Sequence, residues 1–434
     1  MKYNAIDNQL FIKNRAKLVK KLTTNSLAII NAADEMPKNG DQNYSPYRQN
    51  SDFFYLTGIE QEKSILTLCP NHPNPKLREI LFLVKGEKDL ETWYGHKFTE
   101  DEAKTISGVA TIKWLSSWEG VLADLIINSE HVYINTNENL KYDSAVRNRD
   151  LRFVDELQKA FPLHHYKRLA PLITELRLVK ETEEIDLMKK ACTITDNIFK
   201  RLLSFVKPGV KEYEVEAEIY HEYIRNGCNS HSFYPIVASG ANTCILHYPN
   251  NDQVCKDGDL LLIDFGVEYA NYTSDCTRTI PVNGKFSPRQ KDVYEAVLRV
   301  MKAATLLMIT GKTINQLNPE VDALVTKELI ALGLLKQEDV DKEDKSLERD
   351  RRLCFKYFMH GNSHFMGLDV HDVGTRDTIF VPGMVLSCEP GIYIPEESIG
   401  IRLETDILIT ADGPVDLLAA LPVEVDDIEN LMKS

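Results

Sequence analysis

The stretch DLLLIDFGVEYANYTSDCTRTIPV, residues 259–282, reads as two apolar strands joined by a tight turn, with one carboxylate set into each strand. Asp264 has apolar neighbours on both faces of the first strand, so it is predicted to be buried. An ionised carboxylate taken out of water is costly unless it has a partner. The chain turns through EYANYTS and returns with Asp275. If the hairpin closes about residues 269 and 270, the two carboxylates stand opposite one another with Cβ atoms ~4.5–5.5 Å apart, and they repel unless a cation lies between them. A different register leaves Asp275 as a surface residue at a strand end.

Upstream, Glu181–Phe205 carries apolar side chains at Ile185, Met188, Cys192, Ile198, Leu202 and Phe205, a helical period that stops at Pro208-Gly209. A shorter helix runs to Gly227, and β-rich sequence follows to Val282. Downstream the same order returns. Ser287-Pro288 forms an N-cap and first-turn pair, a long helix reaches Gly311, and a shorter one runs from Ile314 to Gly333. The charged stretch KQEDVDKEDKSLERDRR (336–352) reads as a solvated insertion, and strands resume to Thr410. A duplicated α+β domain with a site between its halves follows, covering residues 173–434. Residues 1–172 form an α/β domain, with strand-like runs at Ser26 (SLAIINAA), Phe53 (FFYLTGI), Ser64 (SILTLCP), Glu79 (EILFLVKG) and His131 (HVYINTN).

Composition narrows the class. The 434 residues are 43% hydrophobic and 27% charged, which excludes a disordered or fibrous chain. The net charge of −14 repels nucleic acid and anionic lipid. No apolar run approaches the ~18–20 residues of a membrane span, and the N-terminus has no signal-peptide core, so a cytoplasmic protein is expected. The eight cysteines, with no C-x-x-C pair, read as free packing thiols.

Chemistry-bearing residues gather downstream. MHGNSHFMGLDVHDVG (359–374) holds His360, His364 and His371, three of the chain's eleven histidines. Its H-x-x-x-H spacing lacks the glutamate of a zincin, since Gly361 occupies that position. Glu389 precedes Pro390-Gly391 and is biased to extended backbone at a strand end. Glu404 shares one face of GIRLETDILIT with Arg402 and Asp406, a face that taken alone reads as solvated. Together, Asp264, Asp275, His364, Glu389 and Glu404 offer four negative charges, which two divalent cations balance. One imidazole among oxygens suits Mn²⁺. Such a pair holds a bridging water or hydroxide, and the reaction class is metal-assisted hydrolysis.

In chain order, ILHY, IDFG…SDCTRT, MHGNSHFMGLDVHDVG, SCEPGIYI and GIRLETDILIT resemble the motifs of the pita-bread metallopeptidases, the family of methionine aminopeptidase, prolidase and aminopeptidase P. YRQNSDFFYLTG (Tyr47–Gly58) and ETWYG around Trp93 resemble the creatinase-type N-terminal domain of aminopeptidase P. The resemblance implies that Asp264 chelates one metal, that His364 and Glu389 bind the other, and that Asp275 and Glu404 bridge both. It implies that His247 and His371 contact substrate and the developing oxyanion or assist proton transfer, and that His360, Tyr393 and Arg402 line a proline pocket; Glu389, where its ligation permits, is placed to relay a proton. Asp52 is expected to pair with Arg402, Tyr55 to pack in its strand, and Trp93 to close a neighbouring subunit's site in a homo-oligomer, a dimer or tetramer. The implied activity is cleavage of the N-terminal Xaa-Pro bond of peptides. A prolidase-type dipeptidase is the alternative; a non-catalytic pita-bread binding module is disfavoured because all five ligands are present.

Overall fold

The computed structural model describes residues 2–39, 43–139, 145–344 and 346–433. Two compact units divide the chain, Tyr3–Arg177 and the residues from Leu178 onward.

The first unit is built on a six-stranded mixed sheet in the order Ile112–Trp114, Glu79–Leu83, Ile65–Leu68, Ser26–Asn31, His131–Ile134, His165–Arg168. The central strand Ser26–Asn31 is buried along its whole length, as a strand covered on both faces must be. On one face Leu27 and Ile29 pack with Ile80, Phe82, Val132, Leu125 and Phe153. Trp118 closes that core edge-on to Phe82, with ring centroids 5.0 Å apart.

One expected strand is a helix. Ser51–Thr57 (SDFFYLT) is α-helical, with Asn50 as N-cap accepting from the Asp52 and Phe53 amides at 3.0 Å each. Gly58 ends it at φ +65°, with Phe11 2.4 Å from where a Cβ would stand. A short aromatic run is ambiguous by periodicity, and here the cap and the glycine stop decide it. Tyr55 is buried within this helix rather than in a strand.

In the second unit the two-fold recurrence of elements is present. Helices Thr182–Phe205 and Glu212–Arg225 are answered by Pro288–Leu307 and Ile314–Ala331. Ser287 is the N-cap of the third helix, in a reciprocal capping box with Gln290 and with Pro288 in the first turn. Each helix pair is followed by short antiparallel sheets, Ile236–Ser239/Leu260–Phe265/Cys276–Pro281 in the first half and Val385–Cys388/Thr405–Thr410/Gly413–Asp416 in the second. The charged insertion is not wholly solvated: Arg349 grips the buried Asp322 with Nε and Nη2 at 2.8 Å and lies 5.0 Å over the Phe358 ring.

The 259–282 hairpin closes one residue later than expected. Ala270 and Asn271 take φ +52° and +65°, the double positive φ that a type I′ two-residue turn requires, so Tyr269 faces Tyr272. Asp264 therefore stands opposite Thr277, not Asp275. The shift moves the partner by two positions, which preserves the face, and Asp275 becomes the diagonal neighbour of Asp264. Between them the hairpin passes from one sheet to another at Gly266, where a Cβ would stand 1.9 Å from the Ser274 carbonyl oxygen.

Candidate metal centre

Strand alternation delivers the carboxylates. Asp264 lies at the inner end of Leu260–Phe265, and Asp275 just precedes Cys276–Pro281. Glu389 follows the strand Val385–Cys388, and Glu404 follows Ile399–Arg402. The halves are stitched where the Glu404 amide donates to the Thr277 carbonyl at 3.1 Å. Far from forming a solvated face, Arg402, Glu404 and Asp406 are 4%, 2% and 0% exposed.

Ligand atoms of Asp275, His364 and Glu404 lie within 4.8 Å of one another. His364 Nε2 is 3.3 Å from Asp275 Oδ2 and 3.7 Å from Glu389 Oε1. The His364 Nδ1 lies 3.2 Å from the Phe365 carbonyl oxygen, to which it can only donate, and this turns Nε2 toward the carboxylates. Ser387 Oγ accepts the His364 amide at 3.0 Å and reaches Glu389 Oε1 at 3.3 Å. Asp264 reaches the group through Arg402, whose Nη2 donates to its Oδ2 at 2.6 Å.

Electrostatics make this arrangement expensive as it stands. Burial, and then Asp264, Asp406 and Glu389, push the Asp275 carboxyl well above its ordinary range. Burial, and then Asp275, Glu389 and Asp264, do the same to Glu404. Glu389 is raised by burial, with His364 and Arg402 opposing. Oxygens Asp264 Oδ1 and Asp275 Oδ1 are buried without a hydrogen-bond partner. Repelling carboxylates, orphaned oxygens and an imidazole nitrogen turned toward them are what a pair of divalent cations requires, so the residues fit that group.

Around them runs a directional chain. Arg402 Nη1 donates to Tyr393 Oη at 3.0 Å, Tyr393 Oη reaches His360 Nε2 at 2.8 Å, and His360 Nδ1 reaches the Gly361 carbonyl at 2.8 Å. Burial lowers the His360 pKa to about 3, so the ring stays neutral and accepts the tyrosine proton. Arg402 Nε donates to Thr277 Oγ1 at 3.1 Å, and that hydroxyl donates to Glu404 Oε2 at 2.6 Å. Tyr393 packs with Ile236, Tyr248 and Leu262 in an apolar cluster with Met359 against it. His371 is exposed, its ring edge-on to His364 at 4.4 Å. His247 is exposed in the turn that follows Gly240–Cys244. That loop is held by Glu212, whose oxygens accept from the Ser239 amide and hydroxyl, Tyr248 Oη and the Gln253 amide at 2.7–3.0 Å.

Asp52 and Arg402, expected to pair, each have partners within their own unit. Asp52 Oδ1 is bound by Arg177 Nη1 and its Oδ2 by Asn135 Nδ2, both at 2.7 Å and both inside the first unit, while Arg402 serves Asp264. Trp93 lies on the short helix Lys88–Tyr94 and is 81% exposed. Thr277, Ser387 and Asp406, whose Oδ2 accepts the Asp275 amide at 3.1 Å, were not singled out from sequence as members of the site. Each stands two positions from a candidate ligand, so strand alternation was the available signal.

A buried cup of carboxylates around one imidazole, at the seam of a duplicated α+β domain, defines a metal-dependent hydrolase. Residues 186–411 match metallopeptidase family M24, and residues 11–133 match the N-terminal domain of aminopeptidase P. The chain is 36% identical to the Xaa-Pro aminopeptidase of Escherichia coli (strain K12), with 98% of each sequence covered. It is also 36% identical to the Xaa-Pro aminopeptidase of Haemophilus influenzae, with 97% of this chain and 96% of that one covered. Among solved structures, E. coli aminopeptidase P with the inhibitor Pro-Leu superposes with a TM-score of 0.87 at 34% identity, covering 99% of each chain. Proline aminopeptidase P II from Yersinia pestis gives 0.85 at 35%, covering 98% of this chain and 99% of that one. The chain belongs to metallopeptidase family M24, with the pita-bread fold in its catalytic domain and the aminopeptidase P type of N-terminal domain.

Proposed function

We propose that the protein is an Xaa-Pro aminopeptidase that works with two divalent metal ions and removes the first residue of peptides whose second residue is proline. The convergence of Asp275, His364 and Glu404 donor atoms within 4.8 Å carries the hydrolytic half of this reading. The full-length similarity to Xaa-Pro aminopeptidases supports the specificity. Asp264, Asp275, His364, Glu389 and Glu404 would hold the cations, and oxygen donors with one imidazole favour Mn²⁺. When bound, the metals supply an activated water and Lewis-acid stabilisation of developing negative charge.

The remaining work falls to the chain. Glu389 takes a proton from the attacking water at Oε2 and returns it to the departing proline nitrogen. His371 and His247, both exposed, each offer a ring N–H to the oxygen that becomes tetrahedral. His360 and Tyr393, locked by their mutual hydrogen bond, wall the proline ring with Arg402 behind them. An Xaa-Pro bond has no N–H and a fixed φ, so recognition by packing suits it where a donor-dependent site fails.

Among the described residues no helix is long and apolar enough to cross a membrane. A cytoplasmic enzyme accords with that and with the free thiols of Cys69, Cys192, Cys228, Cys244, Cys255, Cys276, Cys354 and Cys388. The exposed Trp93 supports a homo-oligomer, dimer or tetramer, in which this ring closes a neighbour's site. The deciding experiment compares kcat/KM for Ala-Pro, Ala-Pro-Ala and Ala-Ala-Ala. Cleavage of Ala-Pro-Ala far above the other two is expected. Preference for Ala-Pro makes the protein a prolidase-type dipeptidase, and equal cleavage of Ala-Ala-Ala removes the proline assignment.

A further inference from the structure

Beneath the loop that carries His364 and His371 lies an ion pair with no part in the site above. Lys180 Nζ stands 3.2 Å from Asp372 Oδ2, and both side chains are 1% exposed. Such a pair loses much of its Coulomb gain to desolvation, and apolar side chains of the same volume often stabilise a fold as well. Its placement gives it another use. Asp372 directly follows His371, and its amide, in the peptide that joins the two, donates to the Phe365 carbonyl at 2.9 Å. The His364 ring reaches that same carbonyl through Nδ1. One backbone oxygen therefore keys both the ligand imidazole and the backbone of His371.

The pair packs directly against Gly367, where no side chain larger than hydrogen fits. A Cβ on Gly367 would lie 2.2 Å from Asp372 Oδ2 and 2.8 Å from Lys180 Cε. The Gly367 carbonyl is held by the Thr273 amide and hydroxyl, each at 2.9 Å. On the other side, the Lys180 amide donates to the Gly383 carbonyl at 2.9 Å, immediately before the long helix Thr182–Phe205. The lysine thus ties the start of that helix to the histidine loop.

We propose that the Lys180–Asp372 ion pair positions His371, clamping the neighbouring residue against Gly367 so that the imidazole stays edge-on to His364 and aimed at the reacting carbonyl. The inference rests on the reading of His371 as a donor to the tetrahedral oxygen. A donor displaced by about 1 Å costs turnover by up to about 10²-fold while leaving ground-state binding intact.

Asp372→Asn, which keeps the shape of the side chain, and Lys180→Met are assayed on Ala-Pro-Ala with metal content measured by elemental analysis, each alone and combined with His371→Ala. The expected result is a fall in kcat approaching that order with KM and metal content unchanged, and no further fall when either change is added to His371→Ala. Should Lys180→Met fail to fold, Asp372→Asn carries the same comparison. Undiminished kcat in Asp372→Asn, a fall that persists in full on the His371→Ala background, or a loss expressed in KM or metal content overturns the proposal. If His371→Ala itself keeps full turnover, the donor assignment falls first and the positioning role with it.

Discussion

Asp275 is the residue at which the site's physics is most concentrated: it is buried, its Oδ1 has no hydrogen-bond partner, and three carboxylates press its pKa upward. Asp275→Asn removes a charge that the cations need and a repulsion that the protein bears without them. Metal content by elemental analysis should fall and turnover disappear, while thermal stability measured in chelator should hold or rise. His371→Ala should instead keep its metals and lose about 10²–10³ in kcat, the usual cost of one preorganised donor. In the first domain, burial raises the Asp150 pKa to about 7. The folded state then keeps its proton up to about pH 7 while the unfolded chain releases it near its ordinary pKa of about 4. This contribution to stability is fully present below about pH 4 and is lost as pH rises to about 7. Denaturant midpoints of Asp150→Asn and wild type should therefore agree at low pH and separate in the variant's favour by pH 8. Asp264, Asp275, His364, Glu389 and Glu404 were legible as candidate ligands only in combination, since each taken alone reads equally well as a structural residue. Thr277 and Ser387 were signalled only by their place two residues from a candidate ligand, and Glu212 by nothing local, because its partners Ser239, Tyr248 and Gln253 lie 27 to 41 residues away.

Among the elements, the 259–282 hairpin does the most, since one β-ribbon brings in both Asp264 and Asp275. Its polarity and its turn were readable from alternation. Its register was not, because Ala270-Asn271 is a weaker signal than Asn-Gly for the two positive φ values it adopts. Gly266 is the point where the ribbon changes sheets, and a methyl there meets a carbonyl oxygen that has no room to retreat. Gly266→Ala should destabilise the fold by about 1–3 kcal/mol or more in denaturant titrations and cost activity beyond that, because the two carboxylates shift apart. The helix Ser51–Thr57 shows a limit of another kind. Its aromatic run fits a strand as well as a helix, and only the reach of Asn50 to two amides and the approach of Phe11 to Gly58 select the helix. The insertion was legible as charged, but the contact of Arg349 with Asp322 and Phe358 depends on tertiary packing that a charge run does not reveal.

At the scale of the molecule, the fold class followed from an order of elements that occurs twice, a signal that survives even where the two halves share few residues. If the five proposed ligands hold metals only when gathered in the folded cup, stripping the metals with a chelator should lower the melting temperature, and adding Mn²⁺ back should restore it in a concentration-dependent way. A melting temperature indifferent to both would argue against a cup of these five ligands. The packing of Trp118 against Phe82 also has an optical consequence. All three tryptophans of the chain, Trp93, Trp114 and Trp118, belong to the first domain, and the catalytic domain has none. Emission excited at 295 nm, ~10 nm or more beyond the tyrosine absorption maximum, therefore reports on one half of the enzyme while turnover reports on the other. A chemical melt followed by both signals yields two curves from one cuvette, and any gap between their midpoints measures the difference in stability between the two domains.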